Sequence, residues 1–107
     1  MVLETPKKGE MDIETSAARL AALGNQTRLR IYRLLVTAGD AGLAMGHLAD
    51  RLGVPGSTLS HHCRALLLVD LIRQDRAGTS LICRANYPVM QGLIADLAAG
   101  CCCGDAG

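Results

Sequence analysis

The sequence predicts a mainly α-helical fold with one small β-hairpin, in the order α-α-α-α-β-β-α. Leu, Ile, Val and Ala recur at three- and four-residue spacing along most of the chain, the period of an amphipathic helix. Gly24, Gly39, Gly42, Gly53, Pro55 and Pro88 punctuate these stretches and mark their ends. Only residues 71–84 break the helical period, as two short apolar-containing segments on either side of Gly78, which is a hairpin signature.

Taken in order, Ser16 reads as the N-cap of a first helix that stops at Gly24. Asn25 caps a second, in which Leu29, Ile31, Leu34 and Leu35 alternate with Arg. After a turn at 39–42, a short helix over about 45–52 places Leu48, Ala49 and Leu52 on one face. Gly53-Val54-Pro55 breaks the chain, and a helix from Ser57 to Val69 turns Leu59, His62, Cys63 and Leu66 inward. Helix, tight Gly-containing turn and helix together outline a helix-turn-helix. The hairpin turns at Arg76-Ala77-Gly78, and Pro88 opens a last helix closed by Gly100, with an apolar stripe of Val89, Met90, Leu93, Ile94 and Leu97. These elements divide the chain into a flexible N-terminal segment (1–15), one domain (16–100) and a Cys-rich C-terminal segment (101–107). A hairpin directly after a helix-turn-helix makes the domain a winged helix-turn-helix.

At 107 residues, half of them apolar and with neither Phe nor Trp, the chain fits one modest core of aliphatic side chains. A monomer of this size buries limited area, so a helical dimer interface is expected. No stretch is long and apolar enough to span a membrane, and the N-terminus lacks the apolar run of a signal peptide. The cytoplasm is the expected compartment. The net charge of +1 is unevenly spread. Nine arginines face Asp40, Asp50, Asp70 and Asp75 over residues 17–84, while acidic residues prevail on both sides. A basic centre built wholly of Arg suits a polyanion partner.

A helix that reads DNA needs small polar and long cationic groups on its outward face. Ser57, Ser60, His61 and Arg64 lie at i, i+3, i+4 and i+7 and so share one face, with Thr58 beside them. Arg64 can pair with guanine O6 and N7 together. His62 points to the other side and is assigned to packing or an internal hydrogen bond. Arg73 and Arg76 on the hairpin are placed to reach phosphate or the minor groove.

Ala22-Leu23-Gly24-Asn25-Gln26-Thr27-Arg28-Leu29-Arg30-Ile31 resembles the opening motif of the ArsR/SmtB family. Leu48-Ala49, Leu52-Gly53-Val54, Ser57-Thr58-Leu59-Ser60-His61-His62, Leu66 and Leu71-Ile72 are similar to that family's DNA-binding core. The resemblance covers about residues 17–100. It implies a homodimeric winged-helix repressor of metal or metalloid resistance genes, bound to double-stranded operator DNA and dimerised through its first and last helices. Two departures stand out. Cys63 replaces the usual Leu, and Leu67-Leu68-Val69-Asp70 lacks the family's Gly after this helix, leaving Asp70 to take any left-handed stop.

Five cysteines, an odd number, argue against a disulfide scaffold. Cys63 and Cys83 lie among apolar neighbours and read as packing residues. Cys101, Cys102 and Cys103 are consecutive between Gly100 and Gly104. Soft thiolates select soft acceptors, and trivalent arsenic or antimony takes two or three of them in a pyramid. The family's Cys-x-Cys position falls at Leu43–His47, which holds no Cys. Its zinc-type site on the last helix would find only Asp96. The adjacent cysteines after that helix resemble an arsenic-responsive subgroup, with Cys101 and Cys102 as its pair and Cys103 or another thiol as third ligand. A trivalent arsenical or antimonial is thus the expected inducer, with no obligatory cofactor. The alternative is a thiol-redox-responsive repressor of the same fold. An enzyme is not expected, since no Cys opens a helix beside an oxyanion loop. A metallochaperone would need neither the Ser57–Arg64 face nor the wing.

Overall fold

A computed structural model describes residues 12–99. Helix α1 spans Ile13–Leu23 and is capped by Asp12, whose carboxylate accepts from Thr15 N at 3.0 Å. The cap therefore lies upstream of Ser16, and residues 13–15 are helical rather than part of a flexible segment. Ser16 is instead buried inside the helix, where its hydroxyl donates to Asp96 Oδ2 at 2.7 Å. A long-range partner has overridden the local preference of Ser for caps. Residues 1–11 lie outside the described part of the chain, as do 100–107.

Helix α2 runs Gln26–Ala38, with Asn25 as its cap accepting from Arg28 N at 3.1 Å. A 3₁₀ turn at Gly39–Ala41 leads to the two-residue strand β1, Leu43–Ala44, and then to α3, Met45–Leu52. Gly53 closes α3 in the left-handed region at φ 67°, and α4 occupies Gly56–Leu68. Strands β2 (Ile72–Ala77) and β3 (Ser80–Ala85) form the hairpin, and α5 covers Tyr87–Ala98. Pro88 sits in its first turn, where a missing N–H leaves no intrahelical bond unmade. The last helix ends at Ala98, with Ala99 already extended ahead of Gly100.

The sheet has the order β1-β3-β2, all antiparallel, with Leu43 opposite Cys83 and Gln74 opposite Cys83 from the other side. The third strand was not expected, because two residues carry no readable period. The hairpin turn is Gly78-Thr79, one residue later than expected, since Ala77 still pairs with Ser80. Gly42 is the residue that lets β1 approach β3. A Cβ there would lie 2.5 Å from the Cys83 carbonyl oxygen, at a φ of 67°.

Helix α4 ends in a Schellman motif. Asp70 N donates to Leu67 O at 3.0 Å and Leu71 N to Leu66 O at 3.1 Å. Asp70 adopts φ 63°, the one non-glycine residue with positive φ among those described. Asp thus makes the left-handed stop in place of Gly, and buried Leu66 and Leu71 supply the apolar contact that accompanies such a stop. The core gathers Ile31 and Leu35 of α2, Leu48 of α3, Leu59, Cys63 and Leu66 of α4, and Leu71, Ile72 and Cys83 at the sheet. Tyr87 donates to Val36 O at 3.0 Å and pins α5 to α2. Within the stripe on α5, Leu93 is buried, whereas Ile94 and Leu97 are each 57% exposed. No helix among the described residues is long and apolar enough to cross a membrane.

Candidate nucleic-acid interface

Burial of Leu59, Cys63 and Leu66 fixes the rotation of α4, because a helix face that enters the core turns the opposite face out. Ser57, Thr58, Ser60, His61 and Arg64 are all exposed as a result. The predicted row therefore exists on one solvent-facing surface. Beside it runs a groove of about 340 Å³, flanked by Ser57, Ser60, His61 and Arg64 on one side and by Gln74 and Leu81 of the hairpin on the other.

The two arginines expected on the wing are both exposed but are not equivalent. Side chains alternate along a strand, so Arg76 shares the face of Gln74, the residue that lines the groove. Arg73 belongs to the opposite face, across from Arg84, in a cavity with Asp40, Asn86 and Tyr87. Two cations directly opposite each other would repel. Arg84, which lines the same cavity, has its guanidinium engaged by Asp75 Oδ2 at 2.7 Å and the Asp40 carbonyl at 2.8 Å. The structure thus brings Arg76 together with the α4 row and sets Arg73 apart.

Other arginines serve the fold. Arg19 donates to Val69 O at 2.8 Å across the end of α4. Arg28 donates Nε to His62 Nδ1 at 3.2 Å and Nη1 to the Ala22 carbonyl at 3.2 Å. One guanidinium therefore ties the end of α1, the start of α2 and the middle of α4 together. His62 has the internal hydrogen bond expected of it. Burial, then the positive charge of Arg28, then His61, holds its imidazole pKa below the ordinary value. The neutral form is the one that can accept from Arg28. The rings of His61 and His62 meet edge to face at 5.6 Å, His61 outward and His62 half-buried. A second basic patch went unremarked in the sequence, with Arg30, Arg33 and Arg51 lining one cavity between α2 and α3.

Cys63 and Cys83 are buried as expected, at 1% and 0% exposure, but they also lie against each other. The thiol of Cys63 donates toward Cys83, which raises Cys63 together with burial and lowers Cys83, and Gln74 lowers Cys83 further. Gln74 Nε2 is 3.4 Å from Cys83 Sγ and 3.5 Å from Met45 Sδ, and the two sulfurs are 3.4 Å apart. Met45 and Gln74 carried no signal in the sequence, because nothing local joins a helix N-terminus to a strand. Cys101, Cys102 and Cys103 lie outside the described residues. The carboxylate of Asp96 is engaged by Ser16.

An exposed polar and cationic helix face beside a β-wing defines a winged helix-turn-helix protein. The helix-turn-helix domain family matches this chain over residues 23–75, which includes α2 through most of β2. Within that class its sequence motifs resemble those of the ArsR/SmtB family, and solved structures of ArsR-like regulators share its fold. An ArsR-like transcriptional regulator from Rhodococcus sp. RHA1 is 27% identical over 78% of this chain and 76% of its own, with a TM-score of 0.69. NolR from Sinorhizobium fredii is 28% identical over 92% of this chain and 94% of its own, at a TM-score of 0.64. The homodimeric winged helix-turn-helix DNA-binding domain of a Mycobacterium bovis protein shares the fold, with 24% identity, 92% and 90% coverage and a TM-score of 0.67. No curated protein matches the sequence significantly.

Proposed function

We propose that this chain is a homodimeric DNA-binding repressor of arsenic resistance genes, released from its operator when trivalent arsenic binds Cys101, Cys102 and Cys103. The observation that carries the DNA reading is the exposed row Ser57, Ser60, His61 and Arg64 beside a groove whose far wall is the wing. This is the surface a recognition helix presents to a major groove. Arg64 is the residue for a bidentate guanine contact, and Arg76 reaches phosphate from the wing. Arg73, on the other face of the hairpin, contributes less.

Dimerisation follows from what α1 and α5 leave uncovered. Ile13 and Leu20 on α1 and Ile94 and Leu97 on α5 are exposed at 80%, 41%, 57% and 57%, and the Ser16–Asp96 bond joins these two helices. Pairing these faces would set two recognition helices for successive major grooves, about 34 Å apart. In the sequence the three cysteines begin three residues after the end of α5. An arsenical gathering their sulfurs pulls on α5 and, through Asp96 and Ser16, on α1. That shift alters the spacing of the recognition helices, and a differential affinity of about 1–3 kcal/mol is enough for regulation.

The test is fluorescence anisotropy with a duplex selected by the protein from a random-sequence pool, under reducing conditions. Arg64→Ala and Arg76→Ala should each weaken binding about 10-fold or more, and Arg73→Ala markedly less. Arsenite or methylarsenite should release the duplex, with antimonite acting similarly and zinc inactive. Cys102→Ser should bind normally and resist release. Failure to enrich any sequence would refute the repressor. Normal release of Cys102→Ser would move the inducer site elsewhere, and release by peroxide alone would establish the thiol-redox alternative.

A further inference from the structure

We infer that Met45, Cys63 and Cys83 form a binding site for one soft monovalent cation, Cu(I) or its analogue Ag(I), at the floor of the groove between α4 and the wing. The site is separate from the C-terminal cysteines and independent of the arsenical reading. Three sulfurs from three elements meet there: the thioether of α3, one thiol of α4 and one of β3. Met45 Sδ and Cys83 Sγ are 3.4 Å apart. That is less than twice a metal–thiolate bond of about 2.3 Å, so one ion can touch both. The thiol of Cys63 already lies against Cys83.

Ligand chemistry chooses the ion. A thioether with two thiols is a soft set, which favours Cu(I). Zinc needs four ligands from Cys, His or carboxylate, and no group of three such residues is placed for a metal among the described residues. Trivalent arsenic needs thiolates and gains nothing from a thioether. Charge points the same way. Both cysteines are almost fully buried, and a buried net charge is costly. A monovalent cation with one thiolate is neutral, and binding releases one proton from the thiol pair with no change of oxidation state. The Gln74 amide donates to Cys83 Sγ at 3.4 Å, which favours negative charge on that sulfur. Access is provided by the groove, whose lining includes Met45, Cys63 and Gln74.

The experiment uses the full chain with Cys101→Ser, Cys102→Ser and Cys103→Ser, which leaves Cys63 and Cys83 as its only thiols. Anaerobic titration with Cu(I) buffered by bicinchoninate should load one ion per chain and produce ultraviolet thiolate-to-copper absorbance. The Tm should rise by about 5 °C or more on loading, while Zn(II) at equal concentration leaves it unchanged. Cys83→Ala in this background should lower Cu(I) affinity at least 100-fold. Met45→Leu, which conserves volume and so keeps the fold, should lower it about 10-fold. The site is overturned if the chelator keeps all the copper, if zinc binds as tightly, or if Met45→Leu binds copper as well as its parent. The arsenical reading stands or falls separately, because this background lacks all three of its ligands.

Discussion

Breaking the Arg28–His62 hydrogen bond tests whether α4 is held in place by a neutral imidazole. The Nε–Nδ1 distance of 3.2 Å is at the long end for such a bond. A bond with one charged partner contributes about 1.5–3 kcal/mol when well buried. Here the pair is only part-buried, and solvent screening brings the expected coupling to about 1 kcal/mol. The double-mutant cycle Arg28→Met, His62→Leu and the double variant isolates that quantity, read from thermal unfolding at pH 7.5 and again at successively lower pH. One kcal/mol corresponds to a Tm change of about 4–8 °C for a domain of this size.

The direction with pH follows from the lowered pKa of His62. Its folded value lies below the ordinary 6.5 because of burial first and the Arg28 charge second. The unfolded chain therefore binds more protons in the window below 6.5. The contribution of neutral His62 is fully present above pH 6.5 and is lost as pH falls through the folded value. The coupling should thus weaken as pH falls and vanish or reverse sign below the folded value, where an imidazolium faces a guanidinium. A coupling below about 0.3 kcal/mol at pH 7.5, within the additivity expected of unlinked sites, would refute the anchor. So would a coupling that does not weaken at any pH down to acid unfolding.

Two further substitutions probe the scaffold under the site. Gly42→Ala should destabilise by about 2–3 kcal/mol or more, since its Cβ would press on the Cys83 carbonyl at 2.5 Å. Gly78→Ala shares the positive φ but meets nothing within 4 Å, and should cost only about 1 kcal/mol; equal losses in denaturant unfolding would remove the clash at β1 from the account. Leu59→Ala, at 1% exposure, should cost about 2–5 kcal/mol. Leu68→Ala, one of the exposed apolar residues at 75%, should stay within about 0.5 kcal/mol, and a matching loss would mean that Leu68 packs against a partner.

The order of helices, the hairpin, the outward row on α4 and the cap at Asn25 were all legible in the sequence. Each is a local property, set by side-chain period, by a Gly or Pro break, or by a polar residue one turn from the amide it caps. Even the stop at Asp70 could be read, since a left-handed residue was required there and Asp tolerates that conformation. Tertiary structure decided what lay beyond the reach of a helical turn. Ser16 left its expected cap position because Asp96, on the last helix, offered a stronger partner. Arg28, part of a recognisable motif, acquired its role only when α1, α2 and α4 converged on it. Arg73 and Arg76, three residues apart, fell on opposite faces once the segment became a strand. Cys63 and Cys83 looked like separate small hydrophobes, and packing of α4 on β3 brought them together beside Met45. Periodicity fixes which way a side chain faces along its own element; which side chains then meet is set by how the elements pack around a shared core.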